Sequence, residues 1–213
     1  MSRVDVVNRT RGIQIGSLPF PLVSEGPPAL VGPLLEGERL VLTADAGADM
    51  FLDPGGDPGT SDAERFVWPV TGDFRFSAFV SPVFVSDFDS GVLLGYVDPL
   101  HWFKVCAELD PSGTTRVVSV VTRNGTSDDC DSWPIDGSGT YLRISRLGQA
   151  FALHASIDGE WWNMVRYFSM GEPAPDAVKI GFAAQSPSGE GTTATFSEVR
   201  FDTQRLAEVR DGT

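Results

Sequence analysis

Short apolar runs separated by turn signals constrain the fold of this chain more than any other feature of its sequence. Gly occurs 23 times and Pro 15 times among 213 residues, and both interrupt the chain at short intervals. Before the C-terminal tail, no window sustains the 3.6-residue apolar period of an amphipathic helix. Strand-like runs spaced about 8–12 residues apart, with turn residues between them, are typical of antiparallel sandwiches and barrels. The sequence therefore predicts an all-β fold.

Two hairpins follow from the turns between neighbouring runs. Asp110–Gly113 connects the runs His101–Leu109 and Thr115–Arg123, and Leu147–Gln149 connects Tyr141–Arg146 to Phe151–Ile157. The other predicted strands are Arg39–Ala44, Asp49–Leu52, Phe74–Phe79, Gly91–Val97, Met164–Phe168, Val178–Gln185 and Thr193–Phe201.

The chain is expected to be one domain, 1–213, with its core at about 30–201. Ser17–Gly32 is expected to wrap the sandwich surface, and Asp53–Asp62 and Asn124–Trp133 are expected to be loops. Gln204–Arg210 either forms short helical turns or frays.

Composition excludes several classes of function. A formal net charge of −13 argues against nucleic-acid partners and against anionic membrane surfaces, since both are bound through clustered Lys and Arg. No apolar run approaches the ~18–20 residues of a membrane span, and the first 16 residues lack the apolar stretch of a signal peptide. We therefore expect a cytoplasmic protein, in which Cys106 and Cys130 are most simply free thiols. The sequence leaves open whether they pair, and it predicts no oligomeric state.

The run HWFKVCAEL separates into two sets, because successive strand side chains point to opposite faces. One set is plainly apolar and is expected to face the core: Phe103, Val105, Ala107 and Leu109. The alternate set is mixed: Trp102, Lys104, Cys106 and Glu108.

Three other predicted strands also carry polar side chains opposite an apolar stripe. We place Ser119 and Arg123 on that outer face, since Arg is rarely buried unpaired. Arg143 and His154 take the same position in the second hairpin. If these strands are neighbours in one sheet, their polar side chains share a surface with Lys104.

Several stretches resemble the regulation-of-enolase-like proteins, a family of unknown function. They are GVLLGYVDPLHWFKVCAE, VVSVVTRNGTSDDC, YLRISRLGQAFALHASIDGEWW and VKIGFAAQSPSGEGTTATFSEVRF, with ADAGADMFLDPGG and WPVTGDFRFSAFV upstream. The resemblance covers roughly residues 40–201. It implies a concanavalin A-like jelly-roll sandwich of two antiparallel sheets, one of them concave. It also implies that carbohydrate is the ligand to consider, since lectins and glucanases of this superfamily bind it on the concave face or its rim.

We therefore expect a non-catalytic domain that binds a carbohydrate or sugar-derived metabolite on its concave sheet. The candidate ligand-binding residues are Tyr96, Trp102, Lys104, Glu108, Ser119, Arg123, Arg143 and His154. One competing interpretation is a solvated network of exposed ion pairs, each contributing only about 0–1 kcal/mol. Another is a protein-interaction module without a small ligand.

A glycoside-acting enzyme is the remaining alternative. It needs two carboxylates about 5–9.5 Å apart. The nearest motif, Glu108-Leu109-Asp110-Pro111, offers only Glu108, because Asp110 begins a turn. We therefore predict no catalytic residue. The acidic loop residues lack the spacing of a calcium loop, so neither metal nor cofactor is expected; they are Asp87, Asp89, Asp98, Asp128 and Asp129.

Overall fold

The computed structural model describes residues 5–6, 12–57, 59–171 and 175–213. The undescribed residues include most of the N-terminal stretch considered as a signal peptide and Pro58 of the predicted loop. In the described ranges every regular element is a strand, and no helix there is long and apolar enough to cross a membrane. The strands are β1 Asp5–Val6, β2 Val23–Glu25, β3 Leu34–Glu36, β4 Arg39–Asp45, β5 Met50–Phe51, β6 Thr60–Ser61, β7 Arg65–Thr71, β8 Phe74–Pro82, β9 Ser90–Asp98, β10 His101–Leu109, β11 Thr115–Arg123, β12 Thr126–Pro134, β13 Thr140–Leu147, β14 Ala150–Ser156, β15 Asn163–Ser169, β16 Ala177–Gln185 and β17 Gly191–Asp202.

Two large antiparallel sheets form a jelly-roll sandwich, which confirms the predicted fold class. One sheet has eight strands in the order β1-β3-β4-β17-β8-β13-β14-β15. The other has seven, in the order β12-β11-β10-β9-β16-β7-β2. A separate hairpin, β5-β6, belongs to neither sheet.

The core lies between the two sheets and takes alternate residues from each. Phe103, Val105 and Ala107 of β10 are fully buried in it, as the alternation predicts, and only Leu109 at the strand end is half-buried. Aromatic rings join the sheets: Phe103 lies 4.7 Å from Phe151, centroid to centroid.

Both predicted hairpins are present, and further hairpins were missed, among them the one formed by β11 and β12. In the predicted loop Asn124–Trp133, Asn124 and Gly125 have φ values of 52° and 74°, which suits a type I′ turn. The chain then returns along β11 as β12 and forms the edge of the seven-stranded sheet. The loop prediction was therefore wrong. Asn-Gly between two strands is a strong hairpin signal, so this hairpin could have been predicted from the sequence.

Strand β7 was missed for a different reason. It contains Pro69, and proline cannot donate to a sheet ladder. Its partner on the outer side, β2, pairs only with Arg65 to Val67. Pro69 therefore lies beyond the end of β2, where β7 has a free edge that needs no donor. The C-terminal tail, residues 203–213, forms turns rather than helix.

Candidate functional site

The outer face of the seven-stranded sheet is mainly apolar and is covered by residues 47–57 and 59–63, here called the covering segment. Met50 of β5 is fully buried against Val92, Leu94 and Trp102 in a second apolar cluster on this face. Backbone hydrogen bonds anchor the covering segment near β16, where the Ser186 amide donates to the Ala48 carbonyl at 3.0 Å.

The far end of the covering segment is anchored on β12. There the Leu52 amide donates to Ser127 Oγ at 2.9 Å, and the Ser127 amide donates back to the Leu52 carbonyl at 2.9 Å. The covering segment therefore crosses the sheet from the end of β16 to its edge strand.

Tyr96 and Trp102 cannot serve as the predicted aromatic platform. Trp102 is fully buried and Tyr96 is 6% exposed, because both lie in the cluster that Met50 completes. The Arg65 guanidinium also lies over the Tyr96 ring, 4.2 Å from its centroid. Both residues lie on the outer face of the sheet, as predicted, but the covering segment shields them from solvent.

Beside the covering segment a cavity of about 380 Å³ remains open on the same face. Lys104 and Glu108, both predicted as ligand-binding residues, line it. The full lining is Asp49, Phe51, Phe88, Lys104, Glu108, Val118, Val120, Asp129, Gln185, Pro187 and Ser188.

A short chain of hydrogen bonds holds Lys104 in place. Its side chain is 3% exposed, and Nζ donates to Gln185 Oε1 at 3.0 Å. Gln185 Nε2 in turn donates to Asp49 Oδ1. The amide thus connects a strand of the sheet to the covering segment, and it leaves Lys104 hydrogen-bonded to an amide oxygen rather than to a carboxylate.

Three carboxyl groups from separate parts of the chain surround this lysine. Burial raises the pKa of Glu108 to about 7, while the charge of Lys104 opposes that shift. The pKa values of Asp49 and Asp129 are also raised, again chiefly by burial and again against the attraction of Lys104. The cavity therefore holds three acidic groups and one basic group, and one of its acids titrates near neutral pH.

The aromatic groups at the cavity are Phe51 and Phe88, neither of which was predicted. Phe88 is 38% exposed and has a φ of 68°, a conformation that is unusual for a bulky side chain. The backbone is held there by the Phe88 amide, which donates to the Leu109 carbonyl at 2.7 Å. Non-glycine residues in strained conformations cluster at functional sites.

Asp89 maintains the loop that carries Phe88. Its fully buried carboxylate accepts the amides of Val85 and Ser86 at 3.0 and 2.8 Å, and the Ser186 hydroxyl at 2.6 Å. The sequence analysis considered this residue as a metal ligand. In the structure its carboxylate oxygens accept hydrogen bonds from the loop backbone and from Ser186.

Ser119 and Arg123 lie on the wrong face for the predicted site. Ser119 pairs with Val105, so it faces the core between the sheets and is fully buried. Arg123 has the same parity, and its Nε donates to the Ser169 carbonyl at 2.9 Å. The cavity is instead lined from β11 by Val118 and Val120.

Arg143 and His154 belong to the other sheet, so the prediction that they share a surface with Lys104 was wrong. They pair with each other across β13 and β14 and are covered by the C-terminal tail. Arg143 Nη2 donates to the Gly212 carbonyl at 2.7 Å, and His154 Nε2 lies 2.7 Å from the Val209 carbonyl oxygen. Burial lowers the pKa of His154 to about 4.

The two cysteines are free thiols on opposite faces of one sheet. Cys106 pairs with Val118 and lies in the outer cluster, whereas Cys130 pairs with Ser119 and so has the parity of the core-facing side. Burial raises the pKa of the Cys106 thiol well above its ordinary value, which disfavours the reactive thiolate.

Comparison with solved structures shows the fold. A functionally unknown protein from Saccharomyces cerevisiae has a TM-score of 0.76 and 22% identity, covering 86% of this chain and 97% of its own. A xylan beta-1,4-xylosidase from Bacillus halodurans has a TM-score of 0.63 and 16% sequence identity to this chain. The GH43 protein BlXynB from Bacillus licheniformis has a TM-score of 0.59 and 14% identity. In both, the match covers 78% of this chain and 33% of theirs, so this chain spans about a third of their length.

Comparison with curated proteins gives no match. A family model does match: DUF1349, described as a protein of unknown function, aligns with residues 32–204. That range contains every residue that lines the cavity, from Asp49 to Ser188. The chain therefore belongs to the DUF1349 family of proteins of unknown function.

Proposed function

We propose that this protein binds a saccharide or a sugar-derived metabolite in the cavity beside the covering segment. The observation that carries the proposal is the lining of that cavity, in which aromatic rings and buried polar side chains lie together. Its volume of about 380 Å³ falls within the range of small-molecule sites.

The lining matches the two kinds of surface that a sugar presents. The C–H face of a pyranose ring packs on aromatic side chains, and Phe51 and Phe88 supply these at the cavity. Sugar hydroxyls donate to carboxylates, of which Asp49, Glu108 and Asp129 are present. Lys104 is a donor for ring or hydroxyl oxygens. Because these groups are held by the sheet and the covering segment, little conformational entropy is lost on binding.

A ligand screen tests the proposal directly. We expect neutral and charged monosaccharides to show saturation-transfer NMR signals with the wild-type protein, and these signals should weaken in Glu108→Gln and Asp129→Asn. Asp128→Asn is the matched control: it removes the same charge from β12, but Asp128 pairs with Val121 on the other face and forms an ion pair with Arg166 at 2.7 Å. Absence of binding by every sugar, or equal losses in all three variants, would contradict the proposal.

Phe88→Gly should separate binding from stability. Glycine adopts positive φ without strain, so we expect the free energy of unfolding to change by less than about 1 kcal/mol. Loss of the ring should weaken saccharide binding by roughly 3–10-fold, the value of one aromatic contact. Urea unfolding and titration calorimetry measure the two quantities.

Val85→Ala in the same loop is the control, since Val85 is 70% exposed and does not line the cavity. Its affinity should equal that of the wild type. If Phe88→Gly loses much stability but keeps its affinity for saccharide, Phe88 stabilises the loop and does not contact a ligand.

One observation favours a second candidate, a glycoside-acting enzyme. The sequence ranked this function low because Glu108 had no carboxylate partner, yet folding brings Asp49 and Asp129 to the same cavity. A carboxyl group with a pKa of about 7 in the same cavity as two other carboxyl groups is an arrangement that can supply a general acid and a base. Hydrolysis of an aryl glycoside, lost in Glu108→Gln, would support catalysis. Binding without turnover would leave the non-catalytic function.

A further inference from the structure

The cavity carries an excess of negative charge that its own residues do not compensate. Among the described residues that line it, three bear carboxyl groups and one bears an amine. That amine, on Lys104, already donates to the Gln185 amide oxygen. Burial raises the pKa of Glu108 to about 7, which means that its ionised carboxylate is held at a cost that an added cation would relieve.

Ser90 shows that the polar network behind the cavity wall is also incomplete. It pairs with Glu108 on one side and with Gln185 on the other, so its side chain lies between these two cavity residues on the same face. Ser90 is fully buried, and its Oγ has no hydrogen-bond partner within the described part of the chain. Buried hydroxyls are normally satisfied, so this orphan marks incomplete polar packing next to Glu108 and Gln185, although Ser90 does not itself line the cavity.

We propose that the ligand carries a protonated primary amine, as an amino sugar does, and that this amine is held between Glu108 and Asp129. The inference rests on the proposed saccharide function and narrows its ligand class. An ammonium group gives three donors to the carboxylates, and the rings of Phe51 and Phe88 attract cations at their faces. A neutral sugar leaves the excess charge in place, and an acidic sugar adds to it.

Titration calorimetry at pH 6.5 with three probes tests this inference. D-glucosamine should bind about tenfold or more tightly than D-glucose, which reflects one charge-assisted hydrogen bond, and D-glucuronate should bind most weakly. Binding of glucosamine should also release protons, because the ammonium favours the ionised form of Glu108. Repeating the titration in two buffers with different ionisation enthalpies measures that release.

Variants locate the amine. Glu108→Gln and Asp129→Asn should each reduce the preference for glucosamine over glucose to within about threefold. Asp128→Asn removes the same charge from the opposite face and should retain the full preference. Equal binding of glucosamine and glucose would overturn the amine inference and leave the saccharide function standing. Binding of none of the three probes would overturn both.

Discussion

Replacing Lys104 by methionine is expected to lower the free energy of unfolding by about 2 kcal/mol at pH 8, the value of one charged hydrogen bond, and by less at pH 5.5. Methionine keeps the buried aliphatic stem and removes the charge. Asp49, Glu108 and Asp129 then lose the cation whose attraction opposes the burial of each carboxylate. As the pH falls, these groups take up protons, the repulsion among them disappears, and stability returns.

Urea unfolding at the two pH values measures the effect, and Lys179→Met is its control. Lys179 lies on the same face and pairs with Glu25 at 2.6 Å, but its side chain is 35% exposed. An exposed pair of this kind contributes about 1 kcal/mol or less. Adding Glu108→Gln to the Lys104 variant should restore part of the loss at pH 8. A loss that is equal at both pH values would show that Lys104 acts through packing and not through charge.

The fold could be predicted from the sequence because strand alternation is a local property. In β10 every second residue is apolar and every other one is mixed, which set the inner face correctly. Strand β11 shows the limit of this reasoning. Its residues 117–121 include four valines, so both sets of alternate residues are apolar. The prediction of which set faces outward therefore rested on the positions of Ser119 and Arg123. The predicted outer face was wrong, since Ser119 is buried in the core and Arg123 donates to the Ser169 backbone carbonyl.

The site was harder to predict because its residues meet through long-range topology. Asp49 and Gln185 are 136 positions apart and come together only when the covering segment crosses the sheet. Periodicity in one strand carries no information about which sheet that strand joins. For that reason Arg143 and His154, correctly placed on an outer face, were assigned to the wrong sheet. Asp129 could have been found from the Asn-Gly hairpin, which fixes the parity of β12 against β11.

The unfolding free energy of the wild-type protein is expected to change little between pH 7 and pH 5, because two buried groups titrate with opposite signs. The pKa of His154 is about 4 in the folded protein and its ordinary value is 6.5, so the unfolded chain binds the proton first and stability falls as the pH drops through that window. The pKa of Glu108 is raised from 4.5 to about 7, so the folded protein holds its proton and stability rises over nearly the same window. Each shift corresponds to about 3 kcal/mol across its full range.

Single variants should reveal the two opposing effects of pH on the free energy of unfolding. In Glu108→Gln the large opposing shift of Glu108 is absent, and the free energy of unfolding should fall by about 2 kcal/mol from pH 7 to pH 5. In His154→Gln, whose amide can still donate to Val209, it should rise by a similar amount over that range. The half-buried His101, which lies 2.9 Å from an Asp98 carboxylate oxygen, is the control, and His101→Gln should leave the profile nearly flat. Flat profiles in all three variants would mean that burial does not set the protonation of either group. The opposed slopes would instead show that the acid in the cavity and the histidine beneath the tail, on separate sheets, together set the pH range in which the sandwich is stable.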